Sequence, residues 1–297
     1  MENSQTNSEQ RQEQGILFNP PIVDMDLSQA THDDVDQIAN LIAKHTLVVF
    51  RNQTLTLEQE IAINDKFKDV GSIVDHSDDS FRKLSVPNSD GKILRVGGLP
   101  NEHGDHGIAE HADEMAWHHD FHWNLEHKVC LIMLRAIAGV ENSKTSWLNN
   151  IMSYNDLSQK DKELLGSLKA VMKRYIYLNV DSFEEDSKGR KWATGEEYIG
   201  YTCDVIRETL LGEKHLYFPF QQIHHFDGMS LEDSRDILER ISKHITQEKY
   251  VYHHNWKCGD VVICDNRTGL HMRHECLKIS TRLLHRAMFD YPERENT

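Results

Sequence analysis

A chain of 297 residues with 38% hydrophobic and 27% charged side chains supports one large domain with a sizeable core and a well-solvated surface. Its 33 basic and 48 acidic side chains give a formal charge of −15, a field that repels phosphate backbones and anionic membranes, so neither nucleic acid nor a membrane is an expected partner. No apolar run is long enough to cross a bilayer, and the five cysteines are odd in number with no Cys-x-x-Cys pair, which indicates a reduced, cytoplasmic protein rather than a disulfide framework.

Residues 1–18 read as a polar, disordered tail without the apolar core of a signal peptide, and 19–297 as a single domain. Residues 32–44 carry apolar positions Val35, Ile38, Leu41 and Ile42 at helical spacing, with acidic residues in the first turn. A buried strand follows at 46–51, then a helix over 57–69 capped by Thr56. The stretch 75–115 is rich in Asp, Ser, Gly, Asn and His, with a short strand at Ile93–Val96, and reads as a loop or lid. Strands are predicted at 116–123, 129–137 and 145–149, helices at 151–157 and 159–172, and a strand at 174–180. Ser230 opens a helix whose apolar stripe is Leu231, Leu238, Ile241 and Ile245, and 250–256, 259–265 and 282–289 read as closing strands. Many short strands with helices outside them imply a mainly β fold with flanking helices, a sandwich or jelly roll.

The segment Trp117-His118-His119-Asp120-Phe121-His122-Trp123 carries the chemistry. Side chains alternate along a strand, so His118, Asp120 and His122 share one face. A His-x-Asp pair supplies two adjacent metal ligands, and Asp120-x-His122 offers the same geometry in reverse. A third ligand is available at His271, just beyond the run Gly259–Asp265. Two histidines and a carboxylate leave three metal positions open, the facial triad of non-heme iron oxygenases.

These motifs, in this order, resemble the taurine dioxygenase family, which also contains the 2,4-dichlorophenoxyacetate dioxygenases. The matching segments are Trp117-His118-x-Asp120, Asp265-Asn266-Arg267 with the later His271, and Arg282-Leu283-Leu284-His285-Arg286, within a likeness that runs from about Ile22 to Tyr291. The resemblance selects His118, Asp120 and His271 as ligands of Fe(2+) and implies a double-stranded β-helix core. It implies 2-oxoglutarate and O2 as cosubstrates, with Arg282 and Thr145 on the distal carboxylate. Arg286 is placed near the metal, the keto-acid carboxylate and the substrate. The implied reaction is hydroxylation of a C–H bond of a small polar metabolite, with release of succinate and CO2. Desaturation, cyclisation or carbon–heteroatom cleavage are alternatives on the same site, and a metal-dependent hydrolase is a further one. A homodimer or homotetramer is implied as well. His76 aligns with a substrate-contacting histidine. Glu114 stands where sulfonate-oxidising members have asparagine, which points away from taurine and towards a substrate with a cationic group. Asn142-Ser143-Lys144 replaces the family's Gly-Gly-Asp before Thr145.

Overall fold

Strands that are apolar on both faces need cover on both sides, and here that cover comes from a second sheet on one face and helices on the other. The computed structural model describes residues 17–69, 83–120, 130–173, 183–185, 187–188, 191–193 and 199–292. In chain order the first strands are β1 (Leu47–Phe50), β2 (Lys68–Asp69), β3 (Ile93–Val96), β4 (Met115–His118), β5 (Leu131–Ala138) and β6 (Lys144–Leu148). Then come β7 (Lys169–Lys173), β8 (Phe183–Glu185), β9 (Lys191–Ala193), β10 (Ile199–Asp204), β11 (Ile206–Glu208), β12 (Lys214–Leu216) and β13 (Ile223–Phe226). The last are β14 (Val251–Asn255), β15 (Val261–Asp265), β16 (His271–Arg273) and β17 (Leu283–Asp290).

The larger sheet runs β1-β15-β5-β17-β2, with β3 also on β17, and the smaller runs β14-β6-β16-β4. All their ladders are antiparallel. This is the jelly-roll arrangement, mainly β with helices outside. Leu47, Val49, Ile132, Leu134, Val262, Cys264, Leu284 and Met288 of the larger sheet meet Trp147 of the smaller one and Trp256 in one core. The alternate residues Val48, Phe50, Met133, Ile263, Ala287 and Phe289 face the helices His32–His45 and Leu57–Lys66. A third core lies between β6, the β10-β7-β13 sheet and the helix Leu231–Ile245.

Helix ends follow their caps. Thr31 with Asp34, and Thr56 with Gln59, form reciprocal capping boxes, and the Ser230 hydroxyl accepts from the Asp233 amide. Several expectations change. The helix expected over 57–69 stops at Lys66, because Phe67 turns extended and stacks on Phe289 at 4.3 Å, so that β2 can join β17. The helix expected over 159–172 ends at Gly166, and Ala170 and Met172 instead pack as strand β7. The strand expected over 116–123 ends at His118. The tail expected to reach residue 18 stops short of Phe18, which is buried and donates its amide to the Lys249 carbonyl at 2.8 Å. The strand expected at 174–180 lies outside the described residues.

Candidate metal centre

His118 and His271 are cross-strand neighbours on β4 and β16, with ring centroids 4.3 Å apart. His118 Nδ1 lies 2.6 Å from the Ala116 carbonyl, which can only accept, so Nδ1 carries the proton and Nε2 presents a lone pair. Asp120 Oδ1 lies 3.6 Å from His118 Nε2 and 3.8 Å from His271 Nε2. One ligand atom from each residue falls within 4.8 Å of the others, and this is the one such group of three among the described residues. His271 Nδ1 is buried without a hydrogen-bond partner. Two imidazole nitrogens and one carboxylate oxygen, converging on one point, fit a divalent transition metal.

The electrostatics favour that donor set. Burial and the adjacent His118 imidazole push the His271 imidazole down to about 3, so it stays neutral. Burial acts to raise the Asp120 carboxyl, but the Arg286 guanidinium and the two imidazoles outweigh it and hold it well below the usual carboxylate range. Arg286 donates from Nη1 to Asp120 Oδ2 at 2.7 Å, leaving Oδ1 directed at the histidines.

Asp120 sits beyond the end of β4, so strand alternation does not place it. The Asn266 side chain does: its Oδ1 accepts from the Asp120 amide at 3.0 Å and its Nδ2 donates to the Asp120 carbonyl at 2.9 Å. Asp265 shapes the turn that leads to His271, accepting from the Arg267 amide at 2.7 Å and from the Tyr291 hydroxyl at 2.8 Å. The Asp-Asn-Arg segment therefore orients two ligands at once.

Arg282 is 2% exposed and donates from Nε to Ser143 Oγ at 2.8 Å, while its Nη1 has no partner. Burial and the neighbouring Arg273 push its guanidinium down to about 10, still charged at neutral pH. Thr145 is buried on β6, and its Oγ1 accepts from the Trp256 indole at 2.9 Å, which leaves its hydroxyl proton available to a ligand. A buried cation with an idle N–H is a ready carboxylate anchor. Ser143 belongs to the triplet that departs from the family pattern, and the departure supplies a partner for Arg282. Two glycines make room for this arginine: a Cβ on Gly97 (φ +129°) would lie 2.2 Å from the Arg282 carbonyl oxygen, and one on Gly139 (φ +59°) 1.9 Å from that of Thr281.

Glu114 is exposed just before β4, and its carboxylate acts on the His274 imidazole. His76 and His122 lie outside the described residues. Sequence reasoning gave no role to Ser143, Trp256, Gln222 or Arg273. Arg273 is buried and donates to the carbonyls of Ala109, His111 and Asp113 at 2.8, 2.5 and 2.5 Å. Arg95 is likewise buried and donates to the carbonyls of Asp105 at 2.8 Å and of Leu99. The described part of the 75–115 stretch is thus held from inside along much of its length.

Residues 9–288 match the model of the family described as "Taurine catabolism dioxygenase TauD, TfdA family". The chain is 24% identical over 270 residues to the alpha-ketoglutarate-dependent 2,4-dichlorophenoxyacetate dioxygenase of Burkholderia sp. (strain RASC), covering 86% of this chain and 84% of that one. It is 25% identical over 275 residues to the alpha-ketoglutarate-dependent sulfate ester dioxygenase of Pseudomonas putida, covering 86% and 78%. Its fold resembles the crystal structure of a taurine dioxygenase from Burkholderia xenovorans, with a TM-score of 0.69 at 19% identity over 93% of this chain and 88% of that one. It also resembles AAD-2 in complex with Mn(II) and N-oxalylglycine, with a TM-score of 0.70 at 19% identity over 94% and 97%.

Proposed function

The chain belongs to the taurine catabolism dioxygenase TauD, TfdA family, and on that premise we propose that His118, Asp120 and His271 bind one iron(II) ion and that Arg282 and Thr145 anchor 2-oxoglutarate. It is an iron(II)- and 2-oxoglutarate-dependent oxidoreductase acting on a small molecule. The observation that carries the assignment of residues is the convergence of His118 Nε2, His271 Nε2 and Asp120 Oδ1 on one point.

Each residue has a separate task. His118, its tautomer fixed by the Ala116 carbonyl, and His271, kept neutral by burial, present lone pairs. Asp120 gives Oδ1 to the metal while Arg286 holds Oδ2, so the carboxylate is fixed in rotation as well as position. With 2-oxoglutarate bound, Arg282, whose Nη1 is otherwise without a partner, would hold the distal carboxylate, and the Thr145 hydroxyl would donate to the same group. Bound iron and 2-oxoglutarate supply the activation of dioxygen, with succinate and CO2 as products. The carboxylate at position 120 supports hydroxylation of a C–H bond. Glu114, exposed just before β4, is the one described residue we assign to a cationic group of the substrate.

The test is succinate formation by the full chain with iron(II), ascorbate and 2-oxoglutarate, against a panel of small metabolites that includes amines, sulfate esters and aryloxy acids. Substrate-stimulated succinate that disappears in His118→Ala is the expected result. Turnover of a panel compound without 2-oxoglutarate would instead favour a metal-dependent hydrolase, which leaves Arg282 and Thr145 without a task.

A further inference from the structure

The last ladder pair of β4 is His118 with His271, so the two residues that follow, His119 and Asp120, pair with no strand among the described residues. Their main-chain groups are nevertheless fully engaged. Gln222 Oε1 accepts from the His119 amide at 2.8 Å, and Gln222 Nε2 donates to the His119 carbonyl at 2.8 Å. Asn266 makes the same pair of bonds to Asp120, at 3.0 and 2.9 Å. A primary amide offers one donor and one acceptor on a single edge, as a peptide group does. Two side chains thus continue the ladder where the strand has stopped.

Both amides are rigidly placed. Gln222 is fully buried and Asn266 is 5% exposed. The Gln222 backbone donates to the Pro219 carbonyl at 2.7 Å and accepts from the Lys173 amide at 2.8 Å, which ties it to β7. The Asn266 amide donates to the Cys130 carbonyl at 2.8 Å, which ties it to the start of β5. The two grips therefore come from different bodies of the fold, the β10-β7-β13 sheet on one side and the larger sheet on the other. The His119 ring packs on Tyr217 at 4.8 Å, and the Arg207 guanidinium lies 3.6 Å from the same tyrosine ring. The loop between two ligands is gripped at every main-chain group it exposes.

We propose that Gln222, together with Asn266, is a positioning residue of the metal centre: the paired amides fix the backbone of His119-Asp120 and so set where the Asp120 carboxylate meets the ion. Neither amide touches the metal position. The proposal rests on the metal reading above. No other common side chain reproduces the grip, because a carboxylate lacks the donor for His119 O and an apolar isostere leaves two buried backbone groups unpaired.

The experiment is a cobalt(II) titration of metal-free full-length protein, read from the visible ligand-field bands, with thermal melting of the metal-free protein alongside. Wild type, His118→Ala, Gln222→Met, Gln222→Glu and Asn266→Leu are compared. Loss of an outer partner of a metal ligand weakens affinity by roughly ten- to a hundredfold. We expect the Kd for cobalt(II) to rise at least about tenfold in Gln222→Met and Asn266→Leu, with altered band intensities, and Gln222→Glu to fall between them and wild type. If Gln222→Met does not fold, Gln222→Glu, which keeps the acceptor, carries the comparison. Variants that melt lower yet bind cobalt(II) with wild-type affinity and spectrum would overturn the proposal, since the amides would then serve stability alone. Wild type binding no better than His118→Ala is a different failure, because it removes the metal reading itself.

Discussion

Arg282 is the residue whose chemistry is most exposed to test, because it is charged, buried and only partly satisfied. A charge-assisted hydrogen bond contributes about 1.5–3 kcal/mol, so Arg282→Met should raise the KM for 2-oxoglutarate by roughly ten- to a hundredfold. Ser143→Ala removes one neutral acceptor and should cost only about 1 kcal/mol in the same measurement. A KM unchanged in Arg282→Met would place the cosubstrate elsewhere. At this scale the sequence was legible where a residue acts through its own chemistry: His118, Asp120 and His271 come together as expected from their motifs. It was silent where a residue acts on main chain. Gln222 lies 103 residues from His119 and carries no local pattern, and Arg273 meets carbonyls 160 to 164 residues away.

Strand β17 shows how one element serves two faces. Leu284, Arg286 and Met288 face the space between the sheets, and His285, Ala287 and Phe289 face the helices. On the helix side Glu60 is fully buried between Arg135 and His285, each 2.9 Å from its Oε2. Removing one partner of a buried ion pair costs about 3–5 kcal/mol, so Glu60→Ala should lower the denaturation midpoint sharply while wild-type metal affinity is kept in the folded fraction. Gly139→Ala should also destabilise, by about 1–3 kcal/mol for the left-handed backbone alone, and it should weaken 2-oxoglutarate binding because the clash is with Thr281, next to Arg282. Calorimetry with and without 2-oxoglutarate separates the two effects. Element identity was readable where the apolar pattern was unambiguous: a single stripe marks the helix Leu231–Ile245, and unbroken apolar runs mark β1 and β15, which are buried on both faces. The error at 159–172 has a physical cause. Ala170 and Met172 favour a helix by intrinsic propensity, and the pairing of β7 with β10 and β13 overrides it.

Across the whole molecule, stability should fall on the acid side before carboxylates titrate. His215 is 2% exposed, and burial is the main cause that pushes its imidazole down to about 4, from an ordinary value of 6.5. The folded state therefore holds it neutral, and protonation favours unfolding. The contribution is complete above 6.5 and is lost as pH falls from 6.5 through 4. Its size is on the order of 3 kcal/mol. His215→Gln should flatten the loss of melting temperature between these two pH values. A slope identical to wild type would assign the acid sensitivity to other groups. The formal charge of −15 makes a second expectation: a polyanion such as duplex DNA should not retard the protein even at low salt, which a shift assay checks.

The arginines that hold the segment before β4 grip it in a particular way. Arg95 and Arg273 reach the carbonyls of Leu99, Asp105, Ala109, His111 and Asp113. A carbonyl is common to all twenty amino acids, so the attachment is indifferent to which side chain each of these five positions bears. The exceptions are Gly97, Gly98 and Gly107, where a Cβ would lie 2.2, 2.8 and 2.6 Å from a carbonyl oxygen, and Ala109, whose φ of +56° disfavours branched side chains. The scaffold has in effect separated the hold on this stretch from its alphabet. Mutation can rewrite what the segment presents while leaving its path intact, which is the latitude a lineage of enzymes needs when it drifts from one substrate to another.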